Sequence, residues 1–535
     1  MKGNPFHLLI WNGTRQLALF RGKIMKKILK LVFSRLFYVG VAIVFQVFWI
    51  VVMAYRLERM FPVMSVFITI ACIAAVLWIV NKRMNPSYKL AWTMLILSVP
   101  IFGAVIYLIF GKSRLASETQ KKFDKEAKKT DVVLREDRQV RENLNELDYH
   151  MDNQSRYIRD YAGFPVYQNT DTEYFPIGEA LYKSLIQELE QAKHFIFMEY
   201  FIIDKGMMWE SVLEILEKKV AEGVDVRLIY DDMGCVNTLP AQFYKQLQAK
   251  GIKCAAFNPF RPIVSVILNN RDHRKITVID GHTSFTGGIN LADEYINRKK
   301  RFGHWKDTGV MLKGEAVRNF TVMFIQMWNV ITGMEDKLED YMPHVYHKES
   351  FKGEGFVQPY ADTPLDNEIV GENVYINAIT KAKRYVYIFT PYLIIDNEMM
   401  TALCLAAKNG VDVRIVTPGI PDKKMVFLLT QSYYAQLLEA GVKIYEYQPG
   451  FIHAKSFVCD DELAIVGTIN MDYRSLYLHF ECAVWMYRTK AVMQVKKDVF
   501  DTIEVSTRIT EEFCRDRNIL IRGVQNLLRL FAPLL

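Results

Sequence analysis

One short pattern occurs twice in the chain, His273-x-Lys275-x4-Asp280 and His453-x-Lys455-x4-Asp460. In each copy a Gly follows the Asp by seven residues and an Asn by ten: Gly287 and Asn290 in the first, Gly467 and Asn470 in the second. Residue types and offsets agree over eighteen positions, which average residue usage does not produce by accident. A neutral imidazole can attack phosphorus, and a partner imidazolium can give a proton to the departing alkoxide. Both tasks suit a group that titrates near neutrality. Lys275 and Lys455 supply positive charge, and the Asn290 and Asn470 amides supply neutral donors. Together they would hold the non-bridging oxygens of a phosphodiester as charge shifts in the transition state. Zinc sites gather Cys or His at close spacing and magnesium sites gather carboxylates. Neither pattern lies beside the motifs, and there is no Walker-type glycine loop, so the expected chemistry uses no metal and no cofactor.

The elements that must position these groups are legible around them. Residues 276–279 and 456–459 are apolar and β-prone and read as buried strands, on which His and Lys two apart project to one face. A longer repeat encloses the motifs. Ala192-Lys-His-Phe-Ile-Phe, Ile202-Ile-Asp and Gly223-Val-Asp-Val-Arg-Leu-Ile recur as Ala382-Lys-Arg-Tyr-Val-Tyr, Ile394-Ile-Asp and Gly410-Val-Asp-Val-Arg-Ile-Val. Helical stretches at 208–221 and 399–408 separate them, so the expected fold is α/β, two similar halves with mainly parallel, helix-flanked sheets. The first half carries extra length within 258–271, including Pro259, Arg261 and Pro262, expected as a loop at the rim of the site.

The doubled pattern resembles the phospholipase D superfamily, whose members carry two HKD motifs and build one active site between two similar halves. The resemblance implies that His273 and His453 share two jobs, one forming a phosphohistidine and the other acting as acid and then base, without saying which does which. It also implies that Asp280 and Asp460 sit back from the substrate and support the loop, and that a carboxylate further along the chain orients each His. Asp307 in His-Trp-Lys-Asp and Glu481 in His-Phe-Glu are the candidates; read from residue type alone, each is equally a surface or strand-pairing charge.

The start of the chain differs in kind. Residues 36–55, 60–80 and 90–110 are apolar runs without Asp, Glu, Lys or Arg. Each would be about 30 Å long as a helix, enough to cross a bilayer. Basic residues on the two sides are nearly balanced, so orientation stays open. Trp92, Pro100, Gly103, Tyr107 and Gly111, together with the ending Leu-Leu-Arg-Leu-Phe-Ala-Pro-Leu-Leu535, resemble the anchor region and carboxyl end of bacterial cardiolipin synthases. The expected organisation is a membrane anchor over 1–111, a charged connector over 112–152, and phospholipase D-like halves over 153–345 and 346–535. The resemblance implies a multi-pass protein of the bacterial cell membrane that joins two phosphatidylglycerol molecules into cardiolipin and releases glycerol. The alternative is a hydrolase of phospholipase D type, or a transphosphatidylase using another acceptor alcohol. A net charge of +8 suits an anionic lipid surface. No interleaved array of aromatics and Arg suggests nucleic acid. Seven cysteines form no CxxC pair, which argues against a disulfide scaffold.

Overall fold

The computed structural model describes residues 45–46, 48–49, 52, 62–110, 117–259, 270–366 and 368–534. They fall into two compact units, Met1–Lys112 and Ser113–Leu535. In the first, the second apolar run forms the helix Pro62–Asn81, whose described side chains, from Val66 onward, present Phe67, Ile70 and Leu77 to the outside. The third run does not form one helix. It divides into Pro86–Ser98 and Pro100–Phe110. Pro100 has no N–H with which to continue the ladder, and Val99 before it leaves the helical region, as residues preceding proline do. The two pieces pack together, with the Trp92 and Tyr107 rings 5.2 Å apart and Gly103 so close to the backbone of Leu95 that a Cβ would lie 2.5 Å from its carbonyl oxygen. Among the described residues no helix is long and apolar enough to cross a membrane. The first expected span, 36–55, lies almost wholly outside them.

Among its described residues the second unit holds two large sheets, of seven and nine strands, and two further pairs of short strands. The strands of the first half are β1 Thr170–Phe175, β2 Phe195–Tyr200, β3 Asp225–Asp231, β4 Lys253–Phe257, β5 Arg271–Asp272, β6 Ile276–Ile279, β7 Thr283–Gly287, β8 His304–Lys306 and β9 Gly309–Gly314. Those of the second are β10 Phe356–Asp362, β11 Tyr385–Phe389, β12 Leu393–Ile394, β13 Asp412–Pro418, β14 Lys443–Tyr447, β15 Gly450–Ile452, β16 Ser456–Cys459, β17 Leu463–Gly467, β18 Met471–Asp472, β19 His479–Tyr487 and β20 Ser506–Arg508. The sheet orders are β1-β9-β7-β6-β2-β3-β4 and β10-β19-β17-β16-β11-β13-β14-β20.

These sheets are mixed, where mainly parallel ones were expected. Along these two orders β2-β3-β4 and β11-β13-β14 run parallel, joined by helices such as Met207–Ala221 and Asn397–Lys408, and the other neighbours pair antiparallel. The motif strands instead head antiparallel hairpins, β6 with β7 and β16 with β17. The tight turns explain this. Asp280 and Gly281 have φ of 50° and 71°, and Asp460 and Asp461 have 55° and 67°. Two successive left-handed residues give the backbone twist that suits a hairpin, and Asp and Gly are residues that adopt it. The charged stretch after the first unit is not a solvated linker either. Its helices Ser117–Val133 and Arg138–Leu147 lead into Tyr149–Ala162; the first packs on the helix Val317–Thr332, the second on Tyr149–Ala162, and that third helix on strand β10. Buried Glu126 accepts from Asn329 Nδ2 at 3.0 Å, and the Phe123 ring stacks 5.3 Å from that of Phe480.

Candidate active site

The two motifs enter the site by the same device. Short strand β5 runs parallel to the start of β19 in the other half, with Asp272 opposite Phe480, and the backbone N–H of His273 donates to the Phe480 carbonyl at 2.9 Å. Residue 273 therefore lies across from Glu481. Likewise β15 runs parallel to β8 with Ile452 opposite Lys306, and His453 N–H donates to the Lys306 carbonyl at 2.7 Å. Residue 453 therefore lies across from Asp307. Strand register alone thus sets each imidazole beside a carboxylate of the opposite half. The side chains complete the contact: His273 Nδ1 lies 2.9 and 3.0 Å from the Glu481 oxygens, and His453 Nδ1 lies 2.6 Å from Asp307 Oδ2. Each ring is left with Nε2 free of that bond, the arrangement in which Nδ1–H donates and Nε2 carries a lone pair.

The motif lysines are almost wholly buried and donate to the carbonyl of their own His, Lys275 Nζ at 2.6 Å from His273 O and Lys455 to His453 O. The motif aspartates lie at the far end of their strands. Asp280 accepts from the backbone N–H groups of Lys193, His194 and Phe195 at 2.8–2.9 Å, and Asp460 from those of Lys383, Arg384 and Tyr385 at 2.6–2.9 Å. They tie the motif turn to the start of β2 or β11 and touch neither imidazole among the described contacts. Asn290 is occupied more fully than a free phosphate donor would be, accepting from Ile202 N–H at 2.9 Å and donating to Tyr295 Oη at 2.7 Å. Asn470 keeps a buried Oδ1 with no protein partner among the described residues.

The glycine-rich turn after each motif differs between the copies for a reason visible here. A Cβ on Gly288 would sit 2.0 Å from Asp307 Oδ1, so only glycine leaves Asp307 its place. Its counterpart Thr468 uses the same spot to donate a hydrogen bond to Glu481.

Electrostatics ties the two motifs into one cluster. Burial pushes the His273 imidazole down to about 3, with Glu481 opposing and Lys275 reinforcing the fall. His453 is brought down to about 4 by burial first, with Lys455 reinforcing and Asp307 opposing. Lys275 falls to about 8 and Lys455 to about 7, again through burial, against the pull of Glu481 and Asp307. Burial works against an ionised Glu481, yet His273 and then His479 hold its carboxyl well below the usual carboxylate range. Two lysines and two carboxylates cancel formally around two neutral imidazoles. A phosphodiester entering this site adds one negative charge, which favours a proton on one of the rings.

Sequence reasoning overlooked three supports. Arg274, between the motif His and Lys, pairs with Glu199 at 2.6 Å and Asp272 at 3.0 Å, all three buried. The signal was there, a lone Glu inside the apolar strand Phe-Ile-Phe-Met-Glu-Tyr. Lys306, one residue before Asp307, is fixed by buried Asp498 at 2.7 Å. His479 lies with its ring 5.7 Å from that of His273 and its Nδ1 3.7 Å from Glu481 Oε1. With His273 and Glu481 it forms a group whose donor atoms, all within 4.8 Å of one another, could hold a metal ion. The expected rim loop falls mostly on residues 260–269, outside the described residues.

Two mixed sheets that exchange carboxylates across a pair of HKD motifs define a protein with the phospholipase D-like fold. A solved phosphatidylserine synthase of Haemophilus influenzae has this fold, with a TM-score of 0.52 at 15% identity over 71% of this chain and 98% of its own. The family described as "Cardiolipin synthase, PLD-like domain" matches residues 185–328 and 375–503, and "Phospholipase_D-nuclease N-terminal" matches 70–112. An uncharacterized protein of Streptococcus mutans is 47% identical over 86% of this chain and all of its own length. The cardiolipin synthase of Alkalihalophilus pseudofirmus is 34% identical over 88% of this chain and 94% of its own. The chain belongs to the cardiolipin synthase family of the phospholipase D superfamily.

Proposed function

We propose that this chain is a phosphatidyltransferase that makes cardiolipin and glycerol from two phosphatidylglycerol molecules. One of His273 and His453 attacks the phosphorus of the first lipid through Nε2. The other, protonated, gives its proton to the glycerol oxygen as the phosphorus–oxygen bond breaks, and the phosphatidyl group stays on the attacking nitrogen. The now neutral second ring takes a proton from a glycerol hydroxyl of another phosphatidylglycerol, whose oxygen attacks phosphorus and frees the histidine. One phosphodiester replaces another, so no nucleotide is consumed. Lys275 and Lys455 balance charge on the non-bridging oxygens, while Asp280 and Asp460 act as positioning residues. The single observation that carries this reading is the pair of buried imidazoles, each held at Nδ1 by a carboxylate of the opposite half.

The reading places the protein at the bacterial cell membrane. It is supported by the exposed apolar side chains of the helix Pro62–Asn81, with Phe67 67% and Leu77 59% exposed. The apolar runs 36–55 and 60–80 would then be the anchor.

Incubation of the purified protein with phosphatidylglycerol alone, in detergent with EDTA, tests the reaction by the amounts of cardiolipin, phosphatidic acid and glycerol. Cardiolipin and glycerol in equal amounts, lost in both His273→Ala and His453→Ala, is the expected result. Phosphatidic acid in place of cardiolipin would make the protein a hydrolase.

A further inference from the structure

The helix Ile519–Leu530, capped by the Asn518 side chain on Leu520 N–H, is strongly amphipathic. Surface helices normally turn their apolar stripe to the core. This one is docked through its polar edge. Gln525 is its buried residue and donates to the Leu428 carbonyl at 3.0 Å, and Arg529 donates to Gln436 Oε1 at 3.2 Å with its guanidinium 4.6 Å above the Tyr433 ring. Just before the helix, Arg517 donates to Gln431 Oε1 at 2.7 Å. These bonds hold it against the helices Lys424–Ser432 and Tyr434–Glu439 and leave the apolar arc outward. Ile519 and Leu520 are each 74% exposed, Leu527 60% and Val524 42%. On the neighbouring helix Met425 is 54% exposed.

We propose that this helix is an interfacial lipid-binding element that lies in the surface of an anionic bilayer. An amphipathic helix with aliphatic residues on one face and cations at its edges sinks about 5–10 Å into the boundary between headgroups and acyl chains. Here Arg522 is exposed on the helix itself, and the Arg515 and Lys423 side chains are 73% and 67% exposed, with Asp516 and Asp422 at 3.5 and 4.0 Å from them. The exposed arc of the helix itself is aliphatic and carries no Trp or Tyr, residues enriched where proteins bind one another, which favours lipid over a second protein. Its place also fits a lipid-processing site. The chain end following it, Ala532–Leu534, packs on the helix Tyr473–Tyr477, which directly follows Asn470 and β18. The choice of anionic lipid rests on the proposed phosphatidyl transfer; the docking itself rests on the exposed face.

The test uses the full chain reconstituted in phosphatidylcholine vesicles containing phosphatidylglycerol, with a photo-cross-linking amino acid at position 520, 527 or, on the polar face, 526. Cross-links to phospholipid at 520 and 527 but not at 526 are expected. Cross-links between copies of the chain, or none to lipid, would overturn the proposal. In a separate arm, Leu520→Glu with Leu527→Glu is expected to lower cardiolipin formation from vesicle-borne phosphatidylglycerol at least about ten-fold and to spare the rate on a water-soluble short-chain analogue. An equal loss on both substrates would overturn it as well. If the unmodified chain forms no cardiolipin, the transferase reading fails, and the cross-linking arm still decides the lipid surface.

Discussion

Replacing Glu481 with Gln isolates the charge that supports His273. The exchange is nearly isosteric, and the surroundings can accept it. Gln Oε1 can take the His273 Nδ1–H bond now made at 2.9 Å, and its Nε2, in place of the oxygen now 3.0 Å from Nδ1, must turn a few tenths of an ångström away from that N–H to donate to Thr468 Oγ1, whose hydroxyl already has an alternative acceptor in the Cys482 carbonyl at 3.1 Å. Tautomer and ring orientation are thereby kept, and only the negative charge is lost. When the His273 ring becomes cationic, through phosphorylation or protonation, that charge no longer faces it. Two unit charges about 4 Å apart interact by about 4 kcal/mol at an effective dielectric of 20, and the neutral hydrogen bond that remains returns part of this. A transition-state penalty of about 2–4 kcal/mol follows, a loss of about 30-fold to 1,000-fold in kcat/KM. Initial rates of cardiolipin formation from phosphatidylglycerol in mixed micelles measure it, with thermal unfolding as the control for folding. A loss under about three-fold in a folded variant would refute the idea that the carboxylate charge, and not merely its shape, supports this ring.

Gly288→Ala places a methyl 2.0 Å from Asp307 Oδ1 and should displace that carboxylate from His453, lowering kcat/KM at least about 30-fold with little change in the melting point. Because the departing glycerol needs a proton from a ring at about 3 or about 4 in the free protein, kcat/KM should already fall as pH rises above that range, and should fall more steeply through about 7–8 as buried Lys455 and Lys275 lose their charge. The neutral imidazoles, at about 3 and about 4 in the free protein, should keep it from falling on the acid side until well below the ordinary histidine value; an acid limb centred near 6.5 would contradict this. Asp280→Ala takes the acceptor from three backbone N–H groups, of which that of Phe195 is buried, and should destabilise the second unit by about 1–3 kcal/mol, read by denaturant unfolding. Asp460→Ala should do less, because Asp460 is half-buried where Asp280 is buried, and water can replace its carboxylate at Lys383 and Arg384.

Much of this site could be read from residue spacing because duplication writes the same geometry twice. The His, Lys and Asp of each motif occupy matching places, and Asp307 and Glu481 do face the imidazoles. What spacing could not reveal was the crossing, since a carboxylate near one motif in sequence serves the histidine of the other, through β5 on β19 and β15 on β8. Strand direction was misjudged for a local reason. A helix between β2 and β3 signals parallel pairing, but Asp280-Gly281 turns the chain straight back, and that short signal was outweighed by the periodic one. The third apolar run misled because composition counts apolar residues while Pro100 decides whether they can form one rod. Asn290 looked like a free donor until its partners Ile202 and Tyr295 appeared, and both come from outside its motif.

The crossing has a consequence for how the site comes into being. In either half alone the motif His would face solvent or an empty place, because its backbone acceptor and its carboxylate both belong to the other half. Buried Glu481 and Asp307 would in turn lose the groups that justify their burial, and an unpaired buried charge is strongly destabilising. Docking of the halves and completion of the site are thus one event, and a loosened interface should cost activity before it costs secondary structure. The halves are alike but not identical at the deciding position. Thr468 fixes Glu481 with a hydroxyl, whereas Gly288 merely leaves room for Asp307, so the two imidazoles meet an incoming phosphodiester with supports of different stiffness. A symmetric scaffold can in this way give two histidines different tasks without any change in the motif that carries them.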